Sequence, residues 1–131
     1  MFVDASALTA ILAKEADAQD LLAKLEDATL RVTSPLAIWE TSVALARLLR
    51  ISPLEAHAVV EKFLDIIAMQ EISVTPEDTV LAVEAFERYG KGRHPAALNF
   101  GDCFAYACAR QRNLKLLYKG GDFARTDIAT A

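Results

Sequence analysis

The sequence predicts an α/β fold, a three-layer α/β/α sandwich around a central parallel sheet of about four to five strands. Short apolar segments alternate with longer segments of helical period along the chain, which is typical of parallel strands joined by helices. The apolar strand segments suit a sheet that helices cover on both faces, with right-handed crossovers between strands. The 131 residues, 53% of them hydrophobic, contain no repeat or linker and predict a single domain spanning 1–131.

Four segments are predicted as strands because they are apolar or β-branched and end at turn or helix-start residues. They are Met1–Val3, Leu30–Thr33, Ile72–Val74 and Lys115–Tyr118. Between them, apolar residues recur at helical spacing and predict six helices. These are Ala5–Ala13, Ala16–Glu26, Pro35–Arg50, Leu54–Met69, Pro76–Tyr89 and Leu98–Ala109. Three of the helices follow a Ser-Pro or Thr-Pro pair, which favours a helix start.

The last predicted helix carries an acid near its start. Asp102 falls on the same helix face as Ala105, Tyr106 and Ala109, and such a face of small and aromatic groups is expected to pack inward. A buried carboxylate is costly unless it meets a cation, a metal ion or several hydrogen-bond donors. No Lys or Arg is an obvious partner, so this acid is a candidate metal ligand.

Three further acids occupy comparable positions, namely Asp4, Glu40 and Asp122. Asp4 and Asp122 follow predicted strands, whereas Glu40 and Asp102 lie early in predicted helices. All four therefore belong to the carboxyl edge of the sheet, where ligands bind in open parallel α/β folds. Ligands that are all oxygen select hard ions such as Mg²⁺. We expect the four carboxylates to converge on a divalent metal ion.

Each acid also has an ordinary structural explanation. Asp4 suits the N-cap of the first helix. Glu40 can lie at the solvated margin of its apolar stripe, and Asp122, after two glycines, can be a turn residue. All of these explanations would have to coincide at one edge of the sheet, which favours a shared site.

Positive charge is concentrated late in the chain. The net charge is −4, but residues 1–87 carry 15 acids and 6 Lys or Arg, whereas residues 88–131 carry 3 acids and 8 Lys or Arg. The loop 90–95 contains Lys91, Arg93 and His94 between glycines and a proline. It is either a flexible connection or a site that holds phosphate beside the Asp102 helix.

Several classes of function are disfavoured. No apolar run approaches about 18 residues and the N-terminus has no basic, then apolar, signal pattern, so we expect a soluble cytoplasmic protein. Cys103 and Cys108 match no zinc or redox spacing and are predicted to be buried free thiols. Neither histidine has a well-placed nucleophile, which argues against a Ser-His-Asp or Cys-His enzyme.

Four motifs, taken in order, resemble the PIN domain and more narrowly the VapC toxins of bacterial toxin–antitoxin pairs. They are Phe2-Val3-Asp4-Ala5-Ser6-Ala7, Trp39-Glu40, Asn99-Phe100-Gly101-Asp102 and Leu117-Tyr118-Lys119-Gly120-Gly121-Asp122-Phe123. The resemblance extends over essentially the whole chain. The loop 90–95 and the closing Thr126-Asp127-Ile128 look like one subgroup of those toxins.

The resemblance implies a PIN-like fold and an endoribonuclease that depends on Mg²⁺ or Mn²⁺. Carried over by motif, the catalytic and metal-binding acids are Asp4, Glu40, Asp102 and Asp122. Ser6 would orient the Asp4 carboxylate or a water, and Asp127 would belong to the outer shell. The candidates for binding the RNA backbone are Lys91, Arg93, His94, Lys119 and Arg125.

The same resemblance implies partners: a VapB-like antitoxin, an RNA substrate such as tRNA or rRNA, and a second copy of the chain in a homodimer. A catalytically weak PIN-fold module that acts through partner association is the alternative. A phospho-acceptor receiver domain also places acids at strand ends. It expects adjacent acids after the first strand and an acceptor Asp at the end of a mid-chain strand, whereas the predicted third strand here ends at Val74-Thr75-Pro76.

Overall fold

A fully parallel, four-stranded sheet lies at the centre of the protein. The computed structural model describes all residues 1–131, and its strands are β1 (Phe2–Val3), β2 (Val32–Thr33), β3 (Gln70–Glu71) and β4 (Leu116–Leu117). Their spatial order is β3-β2-β1-β4, so β1 lies between β2 and β4. Phe2 is in register with Val32 on one side and with Leu116 on the other.

Six helices and a short 3₁₀ helix surround the sheet. They are α1 (Ala5–Leu12), α2 (Ala18–Asp27), α3 (Pro35–Leu49), α4 (Pro53–Ile66), α5 (Pro76–Tyr89) and α6 (Phe100–Gln111), with the 3₁₀ helix at Phe123–Arg125. Successive strand residues point to opposite faces of the sheet. Accordingly Phe2 and Leu116 pack in a buried cluster with α5 and α6, whereas Val3 and Leu117 pack in a second cluster with α1–α4. The predicted three-layer α/β/α architecture is confirmed.

The predicted helix starts are formed by local hydrogen bonds. The side chain of Ser34 accepts a hydrogen bond from the backbone N–H of Ala37 at 3.2 Å. Ser52 and Thr75 each begin a capping box with the acid three residues later. Pro35, Pro53 and Pro76 occupy the first turn, where a missing N–H costs nothing.

The predicted position of the third strand, Ile72–Val74, was wrong, since the observed strand begins two residues earlier and ends before Ile72. The strand is Gln70–Glu71, which pairs with Val32–Thr33 at the edge of the sheet and is exposed, so it lacks the apolar character on which the prediction rested. The ladder continues for one bond, since the N–H of Ile72 donates to the carbonyl of Thr33 at 2.9 Å. Ile72 and Val74 then pack, half-buried, against the cluster formed with α5 and α6.

The bounds of most predicted helices also differ by one to three residues. α4 ends at Ile66 rather than Met69, because Ala68 adopts a positive φ of 51°. α6 begins at Phe100 rather than Leu98, because Leu98 forms a parallel bridge with Gly90 that closes the intervening loop. Cys103 and Cys108 are buried free thiols, as predicted. None of the helices has the length and apolarity needed to cross a membrane.

Candidate active site

Asp4 lies directly after β1 and begins α1. Its carboxylate is buried, with 6% of the residue exposed, and its Oδ2 accepts hydrogen bonds from the Ser6 backbone N–H at 2.9 Å and the Ser6 hydroxyl at 2.5 Å. Burial raises the pKa of Asp4 above its ordinary value, and the Ser6 hydrogen bonds partly oppose that rise. Asp4 is therefore an N-cap and, at the same time, a buried acid at the carboxyl end of a strand.

The Ser6 hydroxyl also connects this acid to the segment after β4. Its oxygen accepts a hydrogen bond from the backbone N–H of Lys119 at 3.0 Å while its own hydrogen is donated to Asp4. The carboxyl ends of two neighbouring strands are thus joined through one serine. The position of the Asp4 carboxylate depends on both segments.

Asp102 is held at the start of α6 by a capping box with Asn99. The Asn99 side-chain oxygen accepts from the Asp102 N–H, and Asp102 Oδ2 accepts from the Asn99 N–H, both at 2.9 Å. Burial raises the pKa of Asp102 to about 6, with further contributions from the negative charges of Asp4 and Asp122. The backbone hydrogen bond from Asn99 lowers that pKa but does not outweigh the burial.

Glu40 lies in the middle of α3, half-buried, with its carboxylate against the start of α6. A Cβ atom built on Gly101 would lie only 2.6 Å from the carboxyl carbon of Glu40, so the absent side chain leaves the space that this carboxylate fills. Burial raises the pKa of Glu40 to about 7, and the charges of Asp4 and Asp102 add to the rise. Glu40 is therefore half-buried between α3 and α6 rather than fully solvated at the edge of the apolar face of α3.

Asp122 is the most exposed of the four acids. It lies at the start of the 3₁₀ helix, where its side chain makes no capping hydrogen bond, and its charge contributes to the raised pKa of Asp102. The structure thus brings the four predicted acids into one electrostatically coupled group. None of the four takes part in a salt bridge, so the group has an uncompensated negative charge.

This donor set suits a hydrated divalent cation. No three His, Cys, Asp or Glu side chains are close enough together to hold an ion between them directly. Mg²⁺ typically binds proteins through one or two carboxylates and keeps several waters, so it does not need such a cage. Burial is the main cause of the raised pKa values of Glu40 and Asp102, and the negative charges of the neighbouring acids add to it. A divalent cation would relieve that added repulsion.

Of the five basic residues predicted to bind RNA, two have no salt bridge and three contact other groups of the protein. Lys91 and Arg93 are exposed, form no salt bridge and lie in the loop closed by the Gly90–Leu98 bridge. The Arg93 guanidinium lies 5.8 Å from the centroid of the Phe86 ring. These two cations are available at the surface.

The other three make contacts within the protein. Lys119 forms ion pairs with Glu15 and, at 3.3 Å, with Asp17. Arg125 donates to the carbonyl of Pro95 at 2.9 Å and so joins the 3₁₀ helix to the loop 90–95. His94 accepts a hydrogen bond from the Ala96 N–H at 3.1 Å and packs edge-on against an aromatic ring. These contacts position the loop and the segment after β4.

Asp127 lies in a separate cluster. Its carboxylate accepts a hydrogen bond from the Tyr106 hydroxyl at 2.6 Å and pairs with Arg88 at 3.2 Å and Arg110 at 3.4 Å. The hydrogen bond from Tyr106 and the pair with Arg88 hold the pKa of Asp127 below its ordinary value. None of these partners is one of the four acids, so the structure does not bring Asp127 into their group.

Comparison with known proteins agrees with this architecture. The PIN domain family model matches residues 1–129. A VapC ribonuclease of Rhizobium meliloti is 40% identical over 139 aligned residues, which cover 97% of this chain and 98% of that protein. The chain belongs to the VapC ribonucleases of the PIN domain family.

Other VapC proteins are also similar to this chain over nearly their full length. Ribonuclease VapC30 of Mycobacterium tuberculosis is 38% identical over 99% of this chain and 97% of its own. The crystal structure of Mycobacterium tuberculosis VapC20, described as a sarcin–ricin loop cleaving toxin, matches 99% of this chain with a TM-score of 0.75 at 21% identity. At that identity the structural match supports the fold alone.

Two residues beside the four acids have roles that the sequence analysis missed. Asn99 holds the start of α6, and its signal is the Asn-x-x-Asp spacing of a capping box. Gly101 accommodates the Glu40 carboxylate across the interface between α3 and α6. A glycine in the first turn of a helix is the available signal, but its partner on another helix is visible only in three dimensions.

Proposed function

We propose that this protein, a single PIN domain, is the toxin of a type II toxin–antitoxin pair and cleaves RNA phosphodiester bonds with the help of Mg²⁺ or Mn²⁺. The observation that carries the proposal is the group of Asp4, Glu40, Asp102 and Asp122, whose coupled charges no cation neutralises. Full-length likeness to proteins named VapC ribonucleases supports the choice of RNA as substrate.

The four acids have different proposed roles in the site. In this proposal Asp4 and Asp102 would ligate the ion directly, Glu40 would act through a water, and Asp122 would add negative charge from the outer side. When bound, the divalent ion activates water and neutralises charge on the phosphate. Glu40, half-buried against the start of α6, is the carboxylate suited to accept a proton from the attacking water. Ser6 keeps the Asp4 carboxylate oriented throughout.

Phosphate groups flanking the scissile bond bind to the positive loop. Lys91 and Arg93 are exposed and have no acidic partner, which suits them to this task. His94, Lys119 and Arg125 support the loop and the adjacent segment and contribute positive potential. Because RNA is the proposed substrate, we propose that the protein acts in the cytoplasm.

A VapB-like antitoxin and a second copy of the chain are the proposed partners. Exposed apolar side chains at the end of α3, including Leu48 and Leu49, supply surface for such contacts. Phe63, half-buried on α4, packs mainly within the core cluster and contributes less. Association of this kind is also what a catalytically weak binding module would show, so activity has to be measured directly.

The deciding experiment compares the wild-type protein with Asp102→Asn on total tRNA and rRNA, with Mg²⁺, with Mn²⁺ and with chelator. Asparagine keeps an oxygen that can accept the Asn99 N–H, so α6 remains capped and only the charge is lost. Asp65→Asn, on the exposed surface of α4, is the matched control. We expect discrete, metal-dependent fragments from the wild type and the control, and none from Asp102→Asn.

Cleavage that persists in chelator, or in a folded Asp102→Asn variant, would contradict the metal assignment. Intact RNA under every condition, together with binding of an antitoxin, would favour the binding module. A melting temperature of Asp102→Asn that is not below that of the wild type shows that lost activity is not lost folding.

A further inference from the structure

A groove opens between α3 and the start of α6, beside the four acids. Its volume is about 270 Å³, and its lining residues are Leu36, Trp39, Glu40, Asn99, Phe100 and Gly101. Because Glu40 belongs both to the groove and to the acidic group, the groove continues the proposed active site. The groove is large enough to admit one planar heterocyclic ring.

Two aromatic side chains line this groove and are largely exposed. Trp39 is 66% exposed and Phe100 is 68% exposed. The Phe100 ring packs against the Phe104 ring in a tilted arrangement, with 4.9 Å between ring centroids. Large aromatic surface left in water is unfavourable, and where it lines a groove it indicates a binding site. The aromatic faces are therefore available to a planar ligand.

Asn99 adds a hydrogen-bond donor to the same groove. Its side-chain oxygen accepts from the Asp102 N–H at 2.9 Å, which fixes the orientation of the amide. The amide NH₂ forms no hydrogen bond within the protein and belongs to an exposed residue. It can donate to a carbonyl oxygen or ring nitrogen on the edge of a bound base.

We infer that this groove holds one nucleobase of the RNA beside the scissile phosphate, with Trp39 and Phe100 as stacking residues and Asn99 donating to the edge of the base. The inference rests on the proposed ribonuclease function. Proteins that recognise single-stranded RNA stack unpaired bases on aromatic rings. A neutral base suits a groove bordered by the Glu40 carboxylate, whereas a phosphate group there would meet uncompensated negative charge.

The chain contains one tryptophan, so the fluorescence of Trp39 reports on the groove directly. The probe is a single-stranded RNA octamer titrated into the Asp102→Asn protein with Mg²⁺, so that binding is measured without cleavage. The comparison is an octamer of equal charge that carries abasic sugars at every position. We expect the intact RNA to quench Trp39 saturably, and the abasic RNA to bind at least fivefold more weakly and to quench little.

Side-chain variants test the contribution of each ring. In the same background, Trp39→Ala and Phe100→Ala are expected to weaken binding of end-labelled octamer about 5- to 100-fold, since stacking on one aromatic residue has an effect of this order. Trp39→Phe keeps an aromatic face and should retain most of the affinity. Ile66→Ala, which removes an exposed apolar side chain from the end of α4, is the control and should bind as the parent does.

Two results would overturn the inference: equal quenching by the abasic RNA, or unchanged RNA affinity in Trp39→Ala and Phe100→Ala. If Trp39→Ala instead alters the sedimentation of the protein and leaves RNA affinity unchanged, a second copy of the chain covers the groove. Cleavage by the wild type without a Trp39 response contradicts only the stacking inference. Absence of cleavage contradicts the proposed function, and the titration still decides whether the groove holds a base.

Discussion

The carboxylate of Glu40 on α3 lies against the bare Cα of Gly101 on α6. A Cβ atom at position 101 would come within 2.6 Å of the Glu40 carboxyl carbon. Because the end of a glutamate side chain is flexible, Gly101→Ala should displace that carboxylate rather than prevent folding. Alanine also favours a helix by about 1 kcal/mol over glycine. We expect RNA cleavage to fall about 10- to 100-fold with little change in melting temperature.

Gly121→Ala is the matched control for this substitution. A Cβ at Gly121 would meet no atom within 4 Å, and its backbone does not have a positive φ. Its cleavage rate and melting temperature should equal those of the wild type. Full activity in a folded Gly101→Ala protein would show that the position of Glu40 is unimportant for cleavage.

The Ser6 hydroxyl joins Asp4 to the segment after β4, and its removal should weaken metal binding. Ser6→Ala removes the hydrogen bond to Asp4 Oδ2 and leaves the Lys119 N–H without its acceptor. Loss of a group that orients a metal ligand typically costs 10- to 100-fold in metal affinity or activity, about the effect expected here. The measurement is the Mn²⁺ concentration that gives half-maximal cleavage.

Ser6→Thr keeps the hydroxyl and is the control for that prediction. It should require about as much Mn²⁺ as the wild type, whereas Ser6→Ala should require at least tenfold more. If both variants have the same metal requirement as the wild type, Ser6 has only a structural role at the start of α1.

Much of this site was predictable because its acids follow simple rules of position. Asp4 directly follows an apolar strand, and Asp102 lies on the inward face of a helix, so the topology of a parallel sheet brings them to one edge. The contacts of Asp127 were not predictable. Its partners Arg88 and Arg110 come from two different helices, and nothing in the local sequence shows that they meet.

The fold shows the same division. Helix starts were predictable because the cap residue and its partner are three positions apart in the chain, as with Ser52 and Glu55. The edge strand Gln70–Glu71 was not, because it is exposed and is defined by its pairing with β2. Strands of two residues are too short for an alternation of apolar and polar side chains to define where they begin and end.

The coupled carboxylates should make the metal-free protein less stable as the pH rises. The ordinary pKa of Glu40 is 4.5, and in the folded protein it is about 7, so between these values the folded state holds a proton that the unfolded state has released. Stability therefore falls between about pH 5 and pH 8. Glu40→Gln removes this effect and should stabilise the protein at pH 8 by about 1–2 kcal/mol, since one pKa unit is worth about 1.4 kcal/mol and partial exposure reduces the gain.

Melting temperatures of wild type and Glu40→Gln at pH 5 and pH 8, in chelator, test this prediction. The two proteins should melt alike at pH 5, and the variant should melt higher at pH 8. Glu84→Gln, on the exposed surface of α5, is the control and should match the wild type at both values. A difference between wild type and Glu40→Gln that is equal at both pH values would contradict the electrostatic origin.

A buried ion pair between Asp78 and Arg112 should be the largest single electrostatic contribution to stability. Asp78, fully buried at the start of α5, accepts two hydrogen bonds from the Arg112 guanidinium at 2.8 and 3.1 Å, and Arg112 also donates to the carbonyl of Ser73. Burial would raise the pKa of Asp78, but the bonds from Arg112 and Thr75 outweigh it and hold that pKa below its ordinary value. Arg112→Met leaves the carboxylate buried without a cation and should cost about 3–5 kcal/mol.

Urea unfolding at pH 7 measures that loss of stability. Arg110→Met is the control, because Arg110 forms only an exposed pair with Asp127, which should contribute less than about 1 kcal/mol. Adding Asp78→Asn to Arg112→Met keeps a side-chain acceptor for the Thr75 N–H and removes the unpaired charge, so it should restore part of the stability. Because the pKa of Asp78 is lowered by folding, the stability from the pair is present above the ordinary value of 3.8 and is lost as the pH falls through the folded-state pKa. Equal unfolding free energies for Arg112→Met and Arg110→Met would show that the buried pair has no special importance for the fold.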